Sequence, residues 1–197
     1  MNTKILDPLK KEDIDFAGET LKNGGLICIP TETVYGLAAD ALNPEAVSEI
    51  YVVKGRPSDN PLIVHIADFD DIYPLVRYVP EKAKALAEKF WPGPLTIILP
   101  KSDIIPDKTS GGLDTVAVRF PSHPVAQAII KASGKPLAAP SANLSGKPSP
   151  TEFRYCYEDL NGKIPGIVNG GDCDVGVEST VITLVPEIPK VLRPGGI

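Results

Sequence analysis

The stretch GGLICIPTETVYGL, residues 24–37, decides the fold class. Its two glycines end a helix that the upstream pattern predicts over residues 13–23. The apolar run LICI, residues 26–29, predicts a short buried strand. The strand leads into a loop crowded with two threonines, a glutamate and a tyrosine, although threonine and tyrosine are also ordinary strand residues. A helix, a buried strand and a polar loop in this order indicate an α/β fold.

The same alternation continues to the C-terminus. The 21 prolines and 17 glycines lie mainly at the ends of predicted elements, so they mark turns rather than a disordered linker. No repeat and no shift in composition marks a second domain. We therefore expect residues 1–197 to form one domain, a single twisted mixed β-sheet with flanking helices. Further helices are predicted at residues 44–53, 80–90, 124–133 and 152–160, and further strands at 62–66, 95–99, 116–120, 136–139, 166–168, 180–185 and 190–192.

The composition is typical of a globular protein, with 43% hydrophobic and 23% charged residues. No stretch approaches the ~20 apolar residues of a membrane span, and the N-terminus lacks the apolar centre of a secretory signal, which predicts a cytoplasmic protein without membrane contact. The net charge of −5 makes general binding of duplex nucleic acid a less natural expectation. The three cysteines lack CxxC spacing, so neither a disulfide framework nor a zinc site is expected.

The chain contains neither a Walker A pattern nor a GxGxxG loop after a strand, so a bound nucleotide would have to be held by residues at strand ends. The segment KGRPSDNPLIVH, residues 54–65, is one candidate. Lys54 and Arg56 form a compact cationic clamp suited to phosphate, although both could instead complement the negative end of the preceding helix. Asn60 adds a neutral donor and acceptor.

Other polar residues also lie on or beside short apolar strands. Arg119 in TVAVRFP is either half of a structural ion pair or a fixed cation that holds a ligand carboxylate. His65 is more commonly a core histidine than a ligand-binding one in such a strand. Ser141 and Asn143 in PSANLSG share one face if the segment is extended, but either could instead cap a turn.

Three of the five arginines, at positions 56, 119 and 193, fall in these motifs, which favours anion handling over scattered surface charge. The motifs also resemble, in order and spacing, the threonylcarbamoyl-AMP synthase (YrdC-domain) family over residues 25–195. Each segment is weak alone, and their combination is specific. The segments are PTETVYGL (30–37), KGRP (54–57), NPL (60–62), WPGPLT (91–96), VAVRFP (116–121), PSANLSG (140–146), ESTV (178–181) and LRPG (192–195).

This resemblance implies a concave, positively charged cavity and a defined reaction. Threonine and bicarbonate or CO2 give N-carboxy-threonine, whose carboxylate attacks the α-phosphorus of ATP and expels pyrophosphate. Mg²⁺ would be bound through the ATP phosphates, and no protein side chains would form a metal site. The product would serve a separate tRNA threonylcarbamoyl transferase complex, which makes the t6A modification at adenosine 37 of tRNA.

The resemblance also implies residue roles. Lys54 and Arg56 would be catalytic, and Arg119 would face the threonine carboxylate. Threonine would be held by Thr33, His65, Arg119, Ala139 and Ser179. The nucleotide would be held by Lys54, Arg56, Asn60, Thr115, Ser141, Asn143, Ser149 and Arg193.

Two alternatives and one departure accompany the resemblance. The first alternative is a module that binds double-stranded RNA or tRNA without catalysis, and weak tRNA binding could also accompany the enzyme. The second is the carbamoyl-adenylating domain of hydrogenase maturation, which normally belongs to a longer chain. Longer members of the family carry a further C-terminal domain, so this chain resembles the single-domain form or a trimmed one.

The base that deprotonates the threonine amine is not identified, and His65 is a candidate only if it lies beside that amine.

Overall fold

A mixed ten-stranded sheet forms the centre of the computed structural model, which describes residues 1–197. Neighbouring strands follow the order β1-β8-β2-β3-β7-β4-β6-β5-β9-β10, with both parallel and antiparallel pairs. The mixed sheet with flanking helices confirms the predicted fold class. The strands are β1 (Lys4–Leu6), β2 (Ile27–Ile29), β3 (Gly36–Asp40), β4 (Ile63–His65), β5 (Leu95–Pro100), β6 (Thr115–Arg119), β7 (Leu137–Ala138), β8 (Gly166–Val168), β9 (Thr180–Thr183) and β10 (Lys190–Arg193).

Six α-helices and one 3-10 helix (Phe69–Leu75) flank the sheet. Their ends follow the local sequence: the Asn43 side chain accepts from the N–H groups of Glu45 and Ala46, and the helix that starts there ends at Gly55 in the left-handed conformation (φ 62°). None of the helices is long and apolar enough to cross a membrane. The α-helices are α1 (Lys11–Lys22), α2 (Pro44–Lys54), α3 (Glu81–Phe90), α4 (Asp107–Ser110), α5 (Pro124–Ser133) and α6 (Phe153–Leu160).

Both faces of the sheet are covered by apolar side chains. In β2, Ile27 and Ile29 pack into the cluster that contains α1 and α5, whereas Cys28 packs into the larger cluster on the other face. The continuous apolar run is therefore explained by burial on both faces, as expected for a strand between two helical layers.

The structure contains elements that the sequence patterns did not predict. Strands β1 and β3, helix α4 and the 3-10 helix are additional, and α1 spans Lys11–Lys22 rather than residues 13–23. Strand β3 has the sequence GLAAD, which has low strand propensity, but it is fully buried between β2 and β7. Tertiary pairing therefore outweighs local propensity at this position.

The register of the sheet brings polar side chains together at one edge of the central strands. His65 at the end of β4 lies opposite Arg119 at the end of its parallel neighbour β6. Thr96 of β5 lies opposite Arg119 on the other side. Gly36 forms an isolated bridge with Ser141, and the antiparallel register of β7 and β4 places Ser141 beyond Ile63, at the opposite end of β4 from His65. The candidate site lies over the face of the sheet between these two ends.

Candidate active site

A cavity of about 250 Å³ lies over one face of the central strands, and alternate residues of β4 (Ile63 and His65) and β6 (Ala117 and Arg119) line it. Its lining includes three arginines and one glutamate, contributed by stretches that are far apart in the sequence. Nine of the thirteen residues assigned from the resemblance line this one cavity, including all five assigned to threonine. The nine are Thr33, Arg56, Asn60, His65, Arg119, Ala139, Ser141, Ser179 and Arg193. The other four are Lys54, Thr115, Asn143 and Ser149.

Arg119 is the deepest cation of the cavity, with 3% of its surface exposed. One guanidinium nitrogen donates to Thr33 Oγ1 at 2.9 Å, and another lies 2.7 Å from Glu32 Oε1, although this contact is too poorly aligned for a hydrogen bond. Arg119 is therefore half of a structural ion pair and also lines the cavity, and its contact with a ligand carboxylate stays a prediction. The buried carboxylate of Glu32 is stabilised chiefly by the charge of Arg119.

Charge and burial act in opposite directions on this pair. Burial raises the pKa of Glu32, but the charge of Arg119, together with polar contacts from the side chain of Arg119 and from the backbone of Glu32 and Ser122, outweighs burial and holds that pKa below its ordinary value. Burial lowers the pKa of the Arg119 guanidinium, and Glu32 opposes this shift. Both groups are charged at neutral pH, because an arginine remains protonated in proteins.

His65 is buried in the core and also borders the cavity. Burial, followed by the positive charge of Arg119, lowers its pKa to about 3. Its Nδ1 lies 3.2 Å from the carbonyl oxygen of Ile63. The imidazole is therefore neutral at physiological pH and a weak proton acceptor, which argues against His65 as the base for an ammonium group.

Lys54 does not line the cavity in this structure. It is the last residue of α2 and is 3% exposed, and its ammonium group donates to the carbonyl oxygen of Ser141 and, at 2.5 Å, to that of Asn143. Burial, together with the charge of Arg56, lowers the pKa of Lys54 to about 8. The lysine thus fixes the loop after β7, whereas Arg56 reaches the cavity itself.

Asn143 also supports that loop from within. Its side-chain oxygen accepts from Ser141 Oγ at 2.6 Å, and its amide nitrogen donates to the carbonyl oxygens of Leu144 at 2.9 Å and Lys147 at 2.8 Å. This is the turn-forming role that the sequence left open for the segment. Ser141, held by Asn143, is the residue that faces the cavity.

Thr115 and Ser149 also lie outside the lining. Thr115 begins β6, at the opposite end of the strand from Arg119. Ser149 reaches the cavity only through Glu178, because its hydroxyl donates to Glu178 Oε1 at 2.8 Å.

Sequence reasoning assigned no role to Glu32 or Glu178. Glu178 lines the cavity and is ion-paired with Arg193. The available signal was its position directly before Ser179, in a set of motifs whose other charged members are mostly cations. Glu32 gave a similar signal, as the one acidic residue in PTETVYGL.

Comparison of the sequence and the structure with known proteins identifies related chains. The Sua5–YciO–YrdC family model, described as telomere recombination, matches residues 19–195. A Bacillus subtilis protein named threonylcarbamoyl-AMP synthase is 54% identical over 196 residues, covering 98% of this chain and 57% of the relative. This chain thus spans little more than half the length of that relative.

Solved structures agree with the sequence matches. Pyrococcus abyssi Sua5 complexed with L-threonine is 51% identical and superposes with a TM-score of 0.97, covering 99% of this chain and 58% of the other. The Escherichia coli YciO structure superposes with a TM-score of 0.88 at 26% identity, covering 99% of this chain and 96% of the other.

The buried ammonium of Lys54 predicts a specific dependence of stability on pH. Because folding lowers its pKa from 10.5 to about 8, the unfolded chain binds more protons between these values, and stability should rise with pH across this window. Lys54→Met removes the titrating group, so the free energy of unfolding of wild type minus that of the variant should increase by on the order of 2 kcal/mol from pH 8 to pH 10.5. Urea titrations at several pH values measure this difference.

The exposed Lys108, changed to Met, provides the matched control and should show no comparable rise. A difference between wild type and Lys54→Met that stays flat or falls across the window would contradict the proposed burial of the ammonium group.

Proposed function

We propose an activity for this chain, which belongs to the Sua5–YciO–YrdC family: the formation of threonylcarbamoyl-AMP from ATP, L-threonine and bicarbonate or CO2, as a nucleotidyltransferase. The observation that carries the proposal is the convergence of Arg56, Arg119 and Arg193, from three distant stretches, on one cavity with small polar residues between them. The names of the relatives and the threonine-bound Sua5 structure support the same activity.

Threonine binds at the Arg119 end of the cavity in this proposal. Arg119 has a guanidinium nitrogen against Glu32 and another bonded to Thr33, so its orientation is set before a ligand arrives. A carboxylate accepts from a guanidinium in a well-defined geometry. The neutral His65, with Ala139 and Ser179, completes the pocket around the amino acid.

The nucleotide binds at the Arg56 and Arg193 end. Arg56 Nε is buried without a hydrogen-bond partner, so a phosphate oxygen could satisfy this donor. Asn60 and Ser141 line the same region, and Lys54 and Asn143 act from behind by fixing the loop that carries Ser141. Mg²⁺ enters on the phosphates as part of the substrate, since Glu178, the acidic lining residue, is already bonded to Ser149 and Arg193.

The chemistry requires positioning and charge neutralisation more than a protein nucleophile. The threonine ammonium loses a proton to solvent, and the free amine adds to CO2 and releases a second proton to give the N-carboxylate. This carboxylate forms a bond to the α-phosphorus as the bond to pyrophosphate breaks. The arginines neutralise charge on the phosphates during this displacement. Cations fixed before the reaction act without the reorganisation that water would require.

The product is then consumed by a separate tRNA threonylcarbamoyl transferase, and the chain acts in the cytoplasm. Binding to RNA as the main role is not favoured, since three of the five arginines line one cavity and the chain has a net charge of −5.

The substrate requirement tests the proposal directly. Pyrophosphate release from ATP should depend on both L-threonine and bicarbonate, because the attacking carboxylate is made from these two molecules. A coupled pyrophosphate assay measures the rate with each component left out, and mass spectrometry identifies the adenylate. ATP turnover at the same rate without threonine would contradict the proposed reaction.

Arg56→Ala should reduce the rate of threonine-dependent pyrophosphate release by about 10²-fold or more, because it removes a cation fixed beside the phosphates. Arg77→Ala is the matched control, since Arg77 is exposed and lies outside the cavity. Its rate should equal that of wild type, and thermal melting should show both variants folded. A folded Arg56→Ala variant with normal turnover would remove Arg56 from the mechanism.

A further inference from the structure

Glu178 is the one acidic side chain that lines the cavity, whose lining also contains three arginines. Its two oxygens accept from the two residues that were assigned to the nucleotide at this end, Ser149 at 2.8 Å and Arg193. The carboxylate thus occupies the position at which donors for a phosphate converge. This arrangement needs an explanation, because a fixed negative charge opposes the binding of a triphosphate.

The hydrogen-bond donors of Arg193 show how direct this competition is. A guanidinium has five N–H donors. Nε donates to the carbonyl oxygen of Ser179 at 3.1 Å, and NH2 donates to the same oxygen at 2.8 Å and to Ser179 Oγ at 3.1 Å. NH1 donates to Glu178, which leaves one N–H free. With Glu178 bound, NH1 can offer one N–H to a phosphate oxygen, and release of Glu178 frees the second N–H of NH1.

Ser149 is constrained in the same way. Its hydroxyl has a single hydrogen, and this hydrogen is directed to Glu178 Oε1. The hydroxyl can donate to a phosphate oxygen only after it turns away from the carboxylate. Both nucleotide-binding donors are therefore released by one event, the displacement of Glu178.

The backbone of Glu178 is held firmly while its side chain remains partly exposed. Gly196 N donates to the carbonyl oxygen of Glu178 at 2.9 Å. A Cβ on Gly195 would lie 2.2 Å from that same oxygen, so only glycine permits this close approach. The side chains of Glu178 and Arg193 are 38% and 39% exposed, which leaves room for the carboxylate to swing without backbone movement.

From these contacts we propose that Glu178 is an internal counter-ion that occupies a phosphate subsite and competes with the polyphosphate for Arg193 and Ser149. In the empty cavity it offsets the repulsion between the arginines. When phosphate binds, the carboxylate gives up both bonds, and it takes them back as pyrophosphate leaves. The inference rests on the proposed function and adds to it a mechanism that weakens product retention.

Glu178→Gln tests this competition, because the amide has the shape of the carboxylate but lacks the negative charge. Its oxygen can still accept from Arg193, and its nitrogen can donate to the hydroxyl oxygen of Ser149. Metal-free inorganic pyrophosphate in EDTA should bind the variant about three- to tenfold more tightly than wild type at low ionic strength. The gain should shrink at high salt. Isothermal titration calorimetry measures both affinities. Inhibition of the reaction by added pyrophosphate should become correspondingly stronger.

Glu187→Gln is the matched control, because it makes the same change of charge at an exposed position outside the cavity. Its affinity for pyrophosphate should equal that of wild type. Pyrophosphate affinity in Glu178→Gln that is unchanged or weaker would overturn the proposal, since it would mean that Glu178 serves to position Arg193.

Thermal melting establishes that Glu178→Gln is folded. Glu178→Asp provides a second comparison, because its side chain is one methylene group shorter and keeps the carboxylate farther from Arg193. Tighter pyrophosphate binding in Glu178→Asp than in wild type supports the competition, and equal or weaker binding contradicts it. If neither wild type nor any variant binds pyrophosphate or ATP, the proposed function itself fails, and the inference fails with it.

Discussion

The ion pair between Arg119 and Glu32 is the interaction on which the geometry of the cavity depends. It joins the end of β6 to the loop after β2, and it is buried on both sides, with side-chain exposures of 4% and 6%. Desolvation of two charges costs several kcal/mol each, so such a pair contributes little net stability, but removal of one partner would strand the other at a cost of about 3–5 kcal/mol. The pair therefore imposes a fixed orientation on Arg119 more than it stabilises the fold. A guanidinium fixed in this way is suited to meet the carboxylate of an amino acid.

The charges of the cavity differ between its two ends. At the Arg119 end, Glu32 balances the arginine and burial keeps His65 neutral, so the surroundings suit a zwitterionic amino acid. Arg56 lines the other end of the cavity with Lys54 behind it. Arg193 lies between the two ends, bonded to Ser179 and to Glu178, the acidic residue of the lining. The Arg56 end suits a polyphosphate. The difference supports a specific order of the two substrates along the cavity, with the reacting carboxylate and the α-phosphorus meeting between them.

The sequence predicted the fold class from local patterns, and the family resemblance added residue roles, which include nine of the twenty residues that line the cavity. Apolar runs that end in polar residues located His65 and Arg119, and a short Gly/Pro-shaped loop located Arg56. Strand β3 was missed because its small residues form a strand only through pairing with β2 and β7. The 3-10 helix over Phe69–Leu75 contains an internal proline, which masks a helical pattern.

The orientation of charged side chains was less accessible from sequence. In the sequence, Lys54 and Arg56 are two cations two positions apart and cannot be told apart by role. In the structure, Lys54 ends α2 and turns inward, whereas Arg56 follows the left-handed Gly55 and reaches the cavity. Asn143 and Ser141 likewise differ, because one serves the turn and the other the cavity. The inward turn of Lys54 depends on a contact with Asn143, about 90 residues away, which no pattern within the Lys54 segment encodes.

The proposed reaction requires a single cavity to hold an amino acid and a triphosphate side by side. A crystal structure of this chain with L-threonine and a non-hydrolysable ATP analogue tests this requirement most directly. We predict density for the threonine carboxylate within hydrogen-bond distance of Arg119, and density for the phosphates beside Arg56 and Arg193. Ligands bound on separate surfaces, with these three arginines contacting neither molecule, would contradict the account.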